Sequence, residues 1–103
     1  MTLTSKQRAY LKSLAMTMNP VVQIGKEGLT PENTRSMEEA LTARELIKIG
    51  LLKNCTQEPR EVAEAAAERT HSQVVQVIGR KFVLYREGKD DKKKIVLPAN
   101  RKD

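Results

Sequence analysis

Gly25-Lys26-Glu27-Gly28 is the stretch whose residue types and spacing best suit chemistry. It falls between a β-branched run, Val21-Val22-Gln23-Ile24, and a helix start at Leu29-Thr30-Pro31. Two glycines allow a tight turn and keep side chains out of the way of an approaching phosphate. The N–H groups and the dipole of the following helix favour an anion there. Lys26 adds a positive charge, and Glu27 opposes it. The same glycines also suit a plain strand-to-helix turn. The loop is too short for a nucleotide P-loop and lacks the GK[ST] ending.

Further cations could extend such a site. Arg8 and Lys12 stand one helical turn apart and form a basic ridge. Arg80 and Lys81 fall at the tip of a hairpin, and Arg86 ends its returning strand, from where it could grip a phosphate bidentately. Charges at these places also protect a sheet edge from aggregation, which is the alternative reading. Lys92-Lys93-Lys94 adds non-specific attraction for a polyanion. A GxxG loop with basic surroundings is how KH domains clamp a nucleic-acid backbone.

Other chemistry is poorly supplied. Cys55 is the one cysteine and His71 the one histidine in 103 residues. That excludes an internal disulfide framework and an all-cysteine metal site. Cys55 reads as a structural thiol. His71 closes a helix, where a cation is mildly favoured. Glu32, Glu38, Glu39, Glu58, Glu61, Glu64 and Glu68 read as first-turn and outer-face charges, not as an acid/base pair. No catalytic constellation, cofactor site or metal site is expected. Tyr10, Phe82 and Tyr85 are the only aromatics. Phe82 and Tyr85 are an odd number of positions apart and point to opposite sheet faces, so they make no two-base stacking platform.

The chain carries a formal charge of +6, unevenly spread. Residues 1–30 hold four basic and one acidic side chain, residues 31–72 six and eight, and residues 73–103 nine and four. If the two basic ends meet, they form one surface suited to a polyanion. The longest apolar run is Phe82-Val83-Leu84-Tyr85. Neither a membrane helix nor a signal-peptide core is expected, and cytoplasm is the expected compartment.

The elements that must position these residues follow from periodicity and punctuation. Leu3 to Met18 reads as a helix with Thr4 as N-cap, Gln7 completing a capping box, and Tyr10, Leu11, Leu14, Ala15 and Met18 as its apolar stripe. Asn19-Pro20 stops it. Residues 21–24 form a strand. Thr30 caps a second helix, with Pro31 in its first position, running to Ala43 with Met37, Ala40 and Leu41 inward. Residues 45–52 alternate as a strand. Pro59 opens a third helix to Thr70, with Val62, Ala65, Ala66 and Arg69 on its inner face. Residues 74–78 and 82–86 pair as a hairpin across Gly79-Arg80-Lys81. Ile95 to Pro98 reads as a further short edge strand. One domain over 1–98 and a frayed tail over 99–103 are expected. The order is α-β-α-β-α-β-β, an α/β domain with a mixed four-stranded sheet. Crossover handedness puts the second and third helices on one face. No pattern fixes where the first helix docks.

Several segments resemble the CRM (chloroplast RNA splicing and ribosome maturation) domain, found alone in bacteria as the YhbY family. They are residues 3–8, 11–15, 20–30, 40–41, 45–49 and 74–86, and the match spans about 3–98. The resemblance implies an αβαβαββ fold similar to the C-terminal domain of translation initiation factor three. It implies a non-enzymatic RNA-binding protein that associates with precursor large-subunit ribosomal RNA during ribosome assembly. The family's GxxG loop falls on Gly25 to Gly28, and its basic surface on this loop and nearby Lys and Arg. The expected RNA-binding set is Arg8, Lys12, Gly25, Lys26, Gly28, Arg80, Lys81 and Arg86. Gly50-Leu51-Leu52 departs from the more basic continuation expected of that strand. A monomer is the expected state. The alternatives are a small-subunit translation factor and a basic protein–protein adaptor.

Overall fold

The computed structural model describes residues 3–88 and 95–98. The elements are α1 (Ser5–Ala15), β1 (Val22–Ile24), α2 (Pro31–Arg44), β2 (Leu46–Leu51), α3 (Pro59–Thr70), β3 (Gln73–Ile78) and β4 (Lys81–Tyr85). This is the expected αβαβαββ order with a four-stranded mixed sheet. Its strand order is β1-β2-β4-β3. β1 runs parallel to β2, with Val22 opposite Ile49. β4 runs antiparallel to both its neighbours. The three strands that precede β4 therefore all run in one direction, as strands joined by helical crossovers do.

Alternation along the strands builds two cores. Ile47, Ile49, Leu51, Phe82 and Leu84 join Val22 and Ile24 under α2 and α3, which supply Met37, Leu41, Val62, Ala63, Ala66 and Ala67. Leu46, Val83 and Tyr85 point to the other face, where Leu3, Leu11 and Ala15 of the α1 region cover them. The first helix thus docks opposite the other two. Phe82 and Tyr85 do lie on opposite faces. Cys55 is buried in the first core.

Local signals account for the helix starts. Thr4 and Gln7 form the capping box of α1, and Thr30 and Asn33 form that of α2, with Pro31 in the first turn. α1 stops at Ala15, short of the expected Met18, because the Met18 N–H turns back to the Ala15 carbonyl at 3.0 Å. Its stripe is narrower than expected. Tyr10 and Leu14 stay 38% and 36% exposed. α3 turns Val62, Ala63, Ala66, Ala67 and Thr70 inward. The expected inward Arg69 is exposed and donates to the Leu29 carbonyl at 3.4 Å. The Ala65-Ala66-Ala67 run does not mark which face turns inward, since any of its faces can pack closely.

Edge strand β3 holds an irregularity. Val74 opposes Leu84 and Gln76 opposes Val83, leaving Val75 as an extra residue. Val75 joins the α1 core. Arg8 donates to the carbonyls of both Val74 and Val75. Arg8 therefore plugs an open strand edge instead of standing on a free basic ridge.

Residues 95–98 form no strand. Ile95 and Leu97 pack across the α1 core. The Ile95 N–H donates to the buried Glu45 carboxylate at 2.8 Å, and Gln7 donates to the Pro98 carbonyl at 3.2 Å. Side chains, not a neighbouring strand, satisfy this backbone. The Lys92-Lys93-Lys94 run and the expected frayed tail lie outside the described residues.

Candidate nucleic-acid interface

The direction of the strands gathers three loops at one end of the sheet. Residues 25–28 follow β1, residues 52–58 follow β2, and Gly79-Arg80 joins β3 to β4. The Leu52 N–H donates to the Ile24 carbonyl and the Leu51 N–H to the Arg80 carbonyl, both at 2.8 Å. Arg80 Nη2 donates to the carbonyls of Leu52 and Cys55 at 2.8 and 2.6 Å. The guanidinium thus ties the hairpin tip to the 52–58 loop. Gly79 has a φ of 58°, which suits the first position of a two-residue hairpin turn.

Within the first loop the Gly28 N–H closes a turn onto the Gly25 carbonyl at 3.0 Å. Gly28 adopts a φ of 72° and lies against the Gln57 carboxamide. Gly25 has no such constraint. A Cβ placed there meets Leu52 Cδ1 at 3.5 Å and Asn54 Oδ1 at 3.6 Å, ordinary contacts. One glycine is demanded by the backbone, and the other is not.

The helix start offers an anion less than its sequence suggests. Thr30 N–H donates to Asn33 Oδ1, and Asn33 N–H donates to Thr30 Oγ1, each at 3.1 Å. Pro31 has no N–H to give. The capping box has consumed these donors. The amides of Lys26 and Glu27 have no hydrogen-bond partner among the described residues. They belong to the loop, not to the helix. A concavity of about 300 Å³ lies here, lined by Gly25, Lys26, Glu27, Gly28, Thr30 and Asn33. A second one, about 160 Å³, opens beyond Glu27 towards Gln57, Glu61 and Arg69. Its two carboxylates make it the poorer place for an anion.

The expected residues divide in space. Arg80 and Lys81 stand at the same sheet end as Gly25, Lys26 and Gly28. Arg8 is held at Val74 and Val75, towards the other end. Lys12 is exposed in the last turn of α1. Arg86 follows the far end of β4. Its guanidinium pairs with the Glu38 carboxylate and donates to the Thr70 carbonyl at 2.8 Å, the Thr42 hydroxyl at 3.0 Å and the Glu38 carbonyl at 3.3 Å. Those contacts tie β4 to α2 and α3. Arg86 is thus an internal clamp, and the grip on a phosphate expected of it would require these contacts to open.

Sequence reading missed the 52–58 loop. Leu52, 44% exposed, lies beside Gly25 with Asn54, and Lys53 is exposed next to them. Gly50 is covered by the Pro20 ring, 3.5 Å from where a Cβ would stand. Only the parallel pairing of β1 with β2, a long-range contact, brings this loop to the glycines. Among the described residues no group of His, Cys, Asp and Glu could hold a metal ion, and no helix is long and apolar enough to cross a membrane.

Fold and site together define a small α/β domain organised around a GxxG turn between a parallel strand and a capped helix. The chain belongs to the CRS1 / YhbY (CRM) domain family, whose match covers residues 3–86. It is 45% identical over 96 residues to the protein named "Probable RNA-binding protein YqeI" of Bacillus subtilis, covering 93% of this chain and 99% of that one. It is 38% identical over 97 residues to a Haemophilus influenzae protein named "RNA-binding protein", covering 94% and 96%. The solution structure of the hypothetical protein SAV1595 from Staphylococcus aureus superposes with a TM-score of 0.79 at 44% identity, covering 94% of this chain and 100% of that one.

Proposed function

We propose that this protein binds structured RNA through the phosphate backbone at the 25–28 loop, without catalysing a reaction. One observation carries the reading: the unpaired amides of Lys26 and Glu27 line a concavity beside a lysine, with Arg80 and Lys81 on the neighbouring hairpin. The names of the relatives support RNA as the polyanion. Gly25, Lys26 and Gly28 form the contact. Lys81 and Lys12 extend its field, Arg80 braces the ledge, and Arg8 and Arg86 add charge from fixed positions in the frame. Lys26→Ala weakens binding to all RNAs and lowers the slope of log K against log salt by about 1. An unchanged slope removes Lys26 from the site.

The proposed target is precursor large-subunit ribosomal RNA, met by a monomer in the cytoplasm during ribosome assembly. The family resemblance supports this target. Crosslinking in cells, stringent purification and sequencing of the attached RNA tests it. Large-subunit sequences clustered in one region support it. Small-subunit sequences redirect the reading to a translation factor, and no RNA above background removes it.

A further inference from the structure

We propose that the α1 side of the sheet, at the exposed end of the β3–β4 hairpin, carries a single-stranded RNA segment leaving the 25–28 loop. Lys48 and Lys81 hold its phosphates, and Ile78 packs against a base. The proposal rests on the RNA-binding reading and adds a second contact surface to it.

The strand register places the surface. Gln23, Gly50, Lys81 and Ile78 form one row across all four strands. Lys48, Val83 and Gln76 form the next row. Val22, Ile24, Ile49 and Phe82 alternate with these residues and face α2 and α3, so both rows face the α1 side. Val83 is buried by the α1 core. Gln23, Lys81 and Ile78 are exposed, Lys48 and Gln76 are half-buried, and Ile78 is 58% exposed. Gly50 is buried under the Pro20 ring, so the row is open at Gln23, two residues before Gly25, and again at Lys81 and Ile78.

Charge selects the occupant. Glu32, Glu38, Glu39, Glu58, Glu61, Glu64 and Glu68 all belong to α2, α3 or the α3 cap, behind the sheet, and outnumber Arg35, Arg44, Arg60 and Arg69 there. α1 contains Lys6, Arg8 and Lys12 and no carboxylate. Lys48 and Lys81 have no carboxylate in ion-pair distance among the described residues. A polyanion is therefore drawn to one face of the sheet and repelled from the other. A single strand fits better than a duplex because an apolar strand residue needs an unstacked base to cover it, and a duplex hides its bases.

The test uses two RNA probes, a hairpin with a single-stranded extension and the same hairpin without it. Lys48→Gln/Lys81→Gln and Ile78→Ser, checked for an unchanged melting curve, are compared with the wild type and with Lys26→Ala. The wild type should prefer the extended probe. Ile78→Ser should lose that preference yet bind the plain hairpin normally. The double variant should bind the extended probe roughly tenfold more weakly, with a salt slope lower by about 1.4, as two released single-strand phosphates require. If both variants behave as wild type while Lys26→Ala is weakened, the sheet contact is overturned and the loop reading stands. Equal losses on both probes overturn the single-strand assignment. If the wild type binds neither probe, the RNA reading itself fails, and this proposal with it.

Discussion

A methyl group on Gly28 would lie 2.4 Å from Gln57 Oε1. Gln57 is exposed and can swing aside, so the φ of 72° is the greater obstacle. Gly28→Ala should lower stability by about 1–2 kcal/mol, the cost of holding an L-residue in the left-handed region. Gly25→Ala should stay within about 0.5 kcal/mol of the wild type. Paired denaturant titrations check both values, and equal destabilisation by the two substitutions would contradict the assignment of the turn constraint to Gly28 alone.

Arg86→Lys should lower stability and leave the salt dependence of RNA binding unchanged. Arg86→Lys keeps the charge but loses the planar fork that reaches Glu38, Thr42 and Thr70 together. Its partners are partly exposed, so a loss of about 1 kcal/mol is expected. Thermal melting reads the loss. A changed salt slope of RNA binding would show that the clamp opens to reach a phosphate.

Tyr85 carries a buried hydroxyl with no hydrogen-bond partner among the described residues. Burial first, then the carboxylates of Glu45 and Glu87, push its pKa from 10.0 up to about 12. The folded state therefore keeps the proton that the unfolded chain gives up above pH 10. Stability from this group is complete below pH 10 and declines as pH rises towards 12. Tyr85→Phe should match or exceed wild-type stability at pH 7, since it removes an unpaired polar atom. It should also lose less stability between pH 10 and 12. Parallel unfolding curves at pH 8 and pH 11 measure the difference.

Glu45 is buried, has a φ of 68°, and accepts hydrogen bonds from the Gly88 and Ile95 amides. Glu45→Ala leaves both donors without that carboxylate and should cost about 1–3 kcal/mol. Hydrogen exchange should accelerate at Ile95 before it does in β2. Unchanged protection at Ile95 would show that Ile95 and Leu97 hold the segment by packing alone.

The helix caps, the strand alternation and the glycine turn could be read locally, because each depends on residues within a few positions of one another. Thr4 with Gln7, and Ile47 with Ile49 and Leu51, are examples. The roles of Arg8, Arg80 and Arg86 could not. Each guanidinium finds carbonyl or carboxylate partners 16 to 67 residues away, and sequence spacing offers no sign of them. The 52–58 loop stayed hidden for the same reason. Residues 95–98 read as a strand because Ile-Val-Leu has the composition of one. The Glu45 carboxylate and the Gln7 carboxamide, acting as long-range partners, settled the matter differently.

Among the described residues β4 is the last strand in chain order, yet it occupies the middle of the sheet between β2 and β3. A nascent chain that ends before Lys81 has β3 with no neighbour and β2 with one edge bare. Phe82 and Leu84 are also missing from the core beneath α2 and α3. During synthesis the domain therefore cannot mature stepwise from its amino end. Its sheet must close in one late event, when the returning strand slots between two waiting ones. Until then those exposed edges are the part of the chain most in need of protection from other polypeptides.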